Sequence, residues 1–101
     1  MPVSLAVVGE LTYITVSPNH LATVWNSESV FRPHVWYRLA PWLDRDNSPG
    51  TIINIGDSGT AAGRSGEALW VNPDGTVTAA ITLVNNGPST AAVGINYLAM
   101  E

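Results

Sequence analysis

Residues 76–99 read TVTAAITLVNNGPSTAAVGINYLA and carry no charged side chain. Apolar residues alternate within them. Val77, Ala79, Ile81 and Leu83 fall on one face, with Thr76, Thr78 and Thr82 on the other. A period of two belongs to strands buried on one side, and nowhere does the chain sustain a helical period for three turns. After the reversal signal NNGPST, Ala91, Val93, Ile95, Tyr97 and Ala99 again share a face.

The stretch before this one marks a hairpin. In ALWVNPDGTVTAAITLV the residues Asn72-Pro73-Asp74-Gly75 separate two apolar runs. Proline presets φ at the second turn position, and glycine accepts the left-handed backbone of a type I turn with a bulge. With the reversal at 85–90, three successive strands would form a meander. The predicted strands are residues 3–8, 11–17, 21–25, 30–40, 51–55, 67–71, 76–84 and 91–99. Pro33 removes a ladder donor from the fourth and marks an edge or bulge there. Residues 41–50 and 56–66 read as the two long loops. About eight short strands with frequent turn signals predict an all-β chain. The expected architecture is a single-domain β-sandwich over residues 1–101, jelly-roll-like and mostly antiparallel.

Charge narrows the function. Only 12% of residues are charged, against about 25% in an ordinary soluble domain. Lysine is absent, the positive charges are Arg32, Arg38, Arg45 and Arg64, and the net charge is −4. Nucleic acid requires a basic stripe that four scattered arginines do not make, and anionic membrane surfaces are disfavoured likewise. The absence of cysteine excludes disulfides, thiolate metal sites and thiol catalysis. The apolar opening MPVSLAVVGELTYITV lacks a basic start, is interrupted by Glu10 and alternates like a strand. It is expected to be neither a signal peptide nor a membrane span, with the mature chain starting near Met1.

Gly56-Asp57-Ser58-Gly59 spells the nucleophile tetrapeptide of chymotrypsin-like serine proteases, and His34 and Asp44 precede it in that family's order. Here, however, the tetrapeptide continues into Thr60-Ala61-Ala62 rather than Gly-Pro, and His34 follows Pro33 in a predicted strand. A triad also needs an oxyanion hole, and that family builds its site between two barrels, which takes more chain than this. The four residues read better as a turn leaving a strand. No base, nucleophile and orienting acid converge elsewhere, so the chain is expected not to be an enzyme. The stretch DRDNSPG places Asp44, Asp46 and Ser48 at alternate positions, as a calcium loop begins. Pro49 and Ile55 stand where an EF-hand needs glycine and glutamate. That leaves an Asx-type turn or a looser oxygen cluster. His20 and His34 lack companions at metal spacing, and GTAAGRSG lacks the lysine of a phosphate-binding loop. No cofactor or metal is expected.

Four tryptophans, Trp25, Trp36, Trp42 and Trp70, are many for this length. Core packing is the ordinary expectation for Trp25, Trp36 and Trp70. Trp36 also falls out of phase with Val35 and Tyr37, so one of these rings must face a second layer or a partner. Trp42 reads as a loop residue beside Asp44, Asp46 and Asn47. An aromatic ring beside carboxylate and amide groups suits a sugar, whose C–H face stacks while its hydroxyls need polar partners. Trp36, Trp42, Asp44, Asp46 and Asn47 are therefore the candidate interface or ligand residues.

The segment VTAAITLVNNGPSTAAVGINY resembles the strand–turn–strand of bacterial surface Ig-like repeats. The whole chain is more similar to the small all-β virion proteins of tailed phages. The features shared are few charges, no cysteine, no signal segment and the terminal strands ALWVNPDGTV…INYLAM. That resemblance implies a capsid-decoration, minor capsid or tail-associated subunit, located in the virion and assembled in the host cytoplasm. Edge strands are ordinarily protected by lysine, other charges or proline. Were 76–84 or 91–99 an edge, it would be sticky unless a barrel closed or neighbouring copies covered it. The expected function is thus a non-enzymatic structural subunit, homo-oligomeric and most simply trimeric, contacting other virion proteins such as the major capsid protein. A glycan-binding module is the alternative.

Overall fold

The computed structural model describes residues 5–28, 36–56 and 66–100. Its strands are β1 (Leu5–Val16), β2 (His20–Glu28), β3 (Trp36–Leu43), β4 (Asn54–Ile55), β5 (Glu67–Val71), β6 (Val77–Asn85) and β7 (Ala91–Met100). They pair antiparallel in two sheets, one ordered β1-β7-β3 and the other β2-β6-β4, with β5 also pairing β6. The fold is the expected all-β sandwich.

The uncharged strands β6 and β7 lie at the centres of the two sheets. Val77, Ala79, Ile81 and Leu83 of β6 and Ala91, Val93, Ile95, Tyr97 and Ala99 of β7 are all buried. Leu39 and Tyr37 complete the inner layer, with Tyr37 and Tyr97 stacked at a centroid distance of 5.8 Å. Two expectations need correction. β6 and β7 are not meander neighbours, because each needs the other's apolar face across the core rather than beside it. Nor is either an edge, so neither needs charge to discourage strand addition, and their inward residues are buried.

The β5–β6 hairpin matches its local signals. Asn72 N donates to Thr76 O, Gly75 N donates to Asn72 O, and Gly75 has φ +89°. The other short connections instead arch between sheets, from β1 to β2 and from β6 to β7. Asn85, fully buried, ties the two arches together. Its Nδ2 donates to Val16 O and Ser89 O at 2.8 Å each, and its Oδ1 accepts from Gly87 N. Asn19, with φ 61°, donates its backbone N–H to Asn85 O.

Several boundaries shift. Residues 3–8 and 11–17 contribute to one strand, β1, whose register with β7 breaks between Val7 and Gly9 and between Glu10 and Thr12. These breaks are β-bulges. Residues 30–35, with Pro33 and His34, lie outside the described residues. β3 runs on through Pro41 to Leu43, because β3 is an edge, where proline is tolerated. The stretch 51–55 contracts to β4. β4 and β5 lie end to end along one side of β6. Gly56 N donates to Thr82 O, Thr82 N donates to Gly66 O, and Gly66 N donates to Gly56 O. Gly56 is sterically required, since a Cβ there would fall on the Val84 side chain. The first glycine of the Gly-Asp-Ser-Gly tetrapeptide thus has a packing role.

Candidate interaction surfaces

On the outer face of the β1-β7-β3 sheet, the register lines up Trp42, Gly94 and Tyr13 in one row across the three strands. Gly94 has no side chain to keep its neighbours apart, so the Trp42 indole lies over it; a Cβ at Gly94 would fall inside the ring. Tyr13 approaches from the other edge, with ring centroids 6.1 Å apart and planes at 58°. Trp42 Nε1 donates to Asn96 Oδ1 at 3.2 Å, which fixes the ring, while Trp42 stays 40% exposed. The next row holds Ala40, Asn96 and Glu10. Trp36 projects from the same face of β3, further along and 52% exposed.

The loop after β3 is fastened by its polar side chains. Asp44 Oδ1 accepts from Asp46 N at 2.9 Å, the Asx turn, and Oδ2 accepts from the Tyr13 hydroxyl at 2.8 Å. These two bonds, the backbone one first, hold the Asp44 carboxyl below its ordinary range, and the bond to Asp44, ahead of desolvation and the carboxylate's charge, pushes the Tyr13 phenol up. Asn47 serves the fold. Its Nδ2 donates to Asp44 O and Ala92 O, and its Oδ1 accepts from Ala92 N. The side-chain amide thereby extends the β3–β7 ladder past the end of β3.

The candidates chosen from sequence therefore separate. Trp36 and Trp42 share one outer face, Asp44 supports it through Tyr13, Asn47 is a ladder substitute, and Asp46 is exposed on the loop. Trp42 belongs to a strand rather than a loop. Trp25 and Trp36 are not core residues: both are more than half exposed, because each occupies an outward position on an edge strand. Among the described residues no group of three metal-ligating side chains comes together. His34 and Ser58 lie outside the described residues. No family model, curated protein or solved structure matches this chain.

The second surface is a flank that sequence reading missed. β1 and β2 are edges of opposite sheets on the same side of the sandwich. Between them opens a cleft of about 370 Å³ lined by Leu11, Thr12, Ile14, Thr23, Val24 and Trp25. Leu11, Ile14 and Val24 pack on the core yet are only partly buried. On β2, Leu21 is 49% and Trp25 63% exposed. Thr23 and Ser27 between and beyond them are tied back to β6 by hydroxyl bonds to Thr82 and Thr78. The alternation of β2 was visible in the sequence; its edge position was not.

Proposed function

We propose that the chain is a non-enzymatic structural subunit that associates with copies of itself and with neighbouring protein, in the manner of a capsid-decoration or minor capsid protein of a phage particle. One observation carries the reading: a regular edge strand, β2, displays Leu21 and Trp25 beside an apolar cleft. Exposed apolar surface of this kind marks interaction sites. The virion setting rests on the resemblance in composition. Light scattering tests the association. The expected result is an oligomer at micromolar concentration whose size is little changed by salt, because so few charges are present. A monomer at every concentration would overturn it.

A second reading, glycan binding, is favoured by the Tyr13–Trp42 row. The indole is held in place before any ligand arrives, and Asn96 and Glu10 stand beside it on the same face. A glycan array with wild type and Trp42→Ala decides this. Binding lost in the variant supports the reading, and a blank wild-type array removes it.

A further inference from the structure

Among the described residues the two sheets have four edges, and three are blunted by devices that discourage strand addition. β1 carries two bulges. β3 carries Pro41. The fourth is interrupted between β4 and β5, at Gly56 and Gly66. β2 has no such device. From His20 to Glu28 it pairs residue for residue with β6 without a break. It contains no proline, and its acid, Glu28, stands at the far end.

We infer that β2 is the self-association edge, pairing antiparallel with β2 of a second copy about a two-fold axis at Thr23. The inference rests on the self-assembling reading above and specifies its geometry. The register follows from side-chain chemistry. The outward positions of β2 include Leu21, Thr23 and Trp25. An axis at Thr23 sets Leu21 of each copy opposite Trp25 of the other, burying both large apolar side chains twice over. An axis one residue later sets Trp25 against Thr23 and Leu21 against Ser27. One residue earlier sets Trp25 against Asn19. An axis at Trp25 or at Leu21 pairs that residue with itself but leaves the other without a partner on β2, so only the Thr23 register gives both an apolar partner, and such cross-strand pairs stabilise sheets. It also sets Ala22 opposite Val24 on the inner face and brings no like charges together.

The same axis turns the two flanks toward each other, so Leu11, Ile14 and Val24 of both copies lose water. A strip about 30 Å long and roughly 20 Å deep gives about 600 Å² per copy, at the low end of specific interfaces. The contact is isologous and closed. Its expected product is a dimer at micromolar concentration.

The chain has no cysteine, so Thr23→Cys introduces a single thiol on the axis. Oxidation should cross-link it rapidly into dimers. Ser27→Cys is the matched control, since its two copies would lie about 27 Å apart in this register. Trp25→Lys should weaken the dimer at least tenfold in sedimentation equilibrium, with the circular dichroism spectrum of the fold retained. Leu21→Ser repeats that test should Trp25→Lys fail to fold. An oligomer that survives these changes, that cross-links equally through Ser27→Cys, or that proves to be a trimer overturns the β2 pairing while self-assembly stands. A strict monomer overturns both.

Discussion

The two flanks of the sandwich are built from the same kinds of strand yet finished differently. On the β3/β5 side, Arg38 reaches from one sheet to Glu67 of the other. Nη2 donates to Oε2 at 3.0 Å, and Nε lies 2.9 Å from Oε1 with its N–H off the line, an ion pair rather than a second hydrogen bond. Ile53 and Leu69 pack against the core there, partly buried as Leu11, Ile14 and Val24 are on the other side. On the β1/β2 side no charged clasp spans the sheets among the described residues, and the apolar cleft lies open. Both flanks leave apolar side chains exposed, Ile55 and Val71 on one and Leu21 and Trp25 on the other, but only the first is tied across the sheets by an ion pair among the described residues. What holds the open flank is at its end, where Asn85 fastens the arches.

The sharpest way to break that contrast is to remove the fastening. Asn85→Ala deletes three hydrogen bonds, two buried and one part-buried, and strands Val16 O, Ser89 O and Gly87 N without their partner. Unsatisfied buried groups cost about 1–3 kcal/mol each before relaxation, so a net loss of about 2–4 kcal/mol is expected in denaturant unfolding. Amide exchange should rise most at Asn19 and Gly87. A loss below about 1 kcal/mol would mean that the open flank is held elsewhere.

The clasped flank should give less. Arg38→Met keeps the apolar stem and removes the charge. Both partners are partly exposed, at 35% and 28% of their side chains, so the expected loss is under about 1 kcal/mol. It should shrink further in molar salt, where the screening length falls to about 3 Å. Glu67→Gln should match it, and the double variant should show no added loss. Association through β2 should not change in either, because the two flanks are on opposite sides. A change in oligomer size in Arg38→Met would erase the distinction between them.

These contrasts explain which parts of the fold could be read from sequence. Turn chemistry is local, so Pro73 and Gly75 announced their hairpin, and alternation placed Val93 and Ile95 inward. Pairing is not local. A short Gly-Pro connection reverses the chain whether the next strand lies beside the last or across the core, and NNGPST does the second. What selects the arch is Asn85, whose partners lie on β1 and in the loop, far from any pattern around it. Pro41 looked like the end of a strand because proline breaks interior ladders, but an edge such as β3 accepts it. Tyr13 as the companion of Trp42 was invisible, since β1 and β3 are never adjacent and meet only because Gly94 stands between them. Asn47 looked like a ligand because an amide side chain can serve a sugar or a backbone equally well.

The smallest expected effect tests the tie that joins the two edges over Gly94. Tyr13 belongs to β1, on the open side, and Asp44 follows β3, on the clasped side. The Asp44 carboxyl is held below its ordinary value chiefly by the Asp46 N–H and then by the Tyr13 hydroxyl. A depressed acid contributes in full above its unfolded value, about 4, and the contribution is lost as pH falls through the lowered one. Tyr13 is raised, chiefly by its bond to Asp44. Its contribution is therefore complete below about pH 10 and disappears as pH rises through the raised value. The pair should leave stability flat between those limits. In Tyr13→Phe, an NMR titration should show the Asp44 carboxyl moving up but staying below the ordinary range, because the Asp46 bond remains. A shift all the way to the ordinary value would show that the two edges, rather than the turn, set the charge on Asp44.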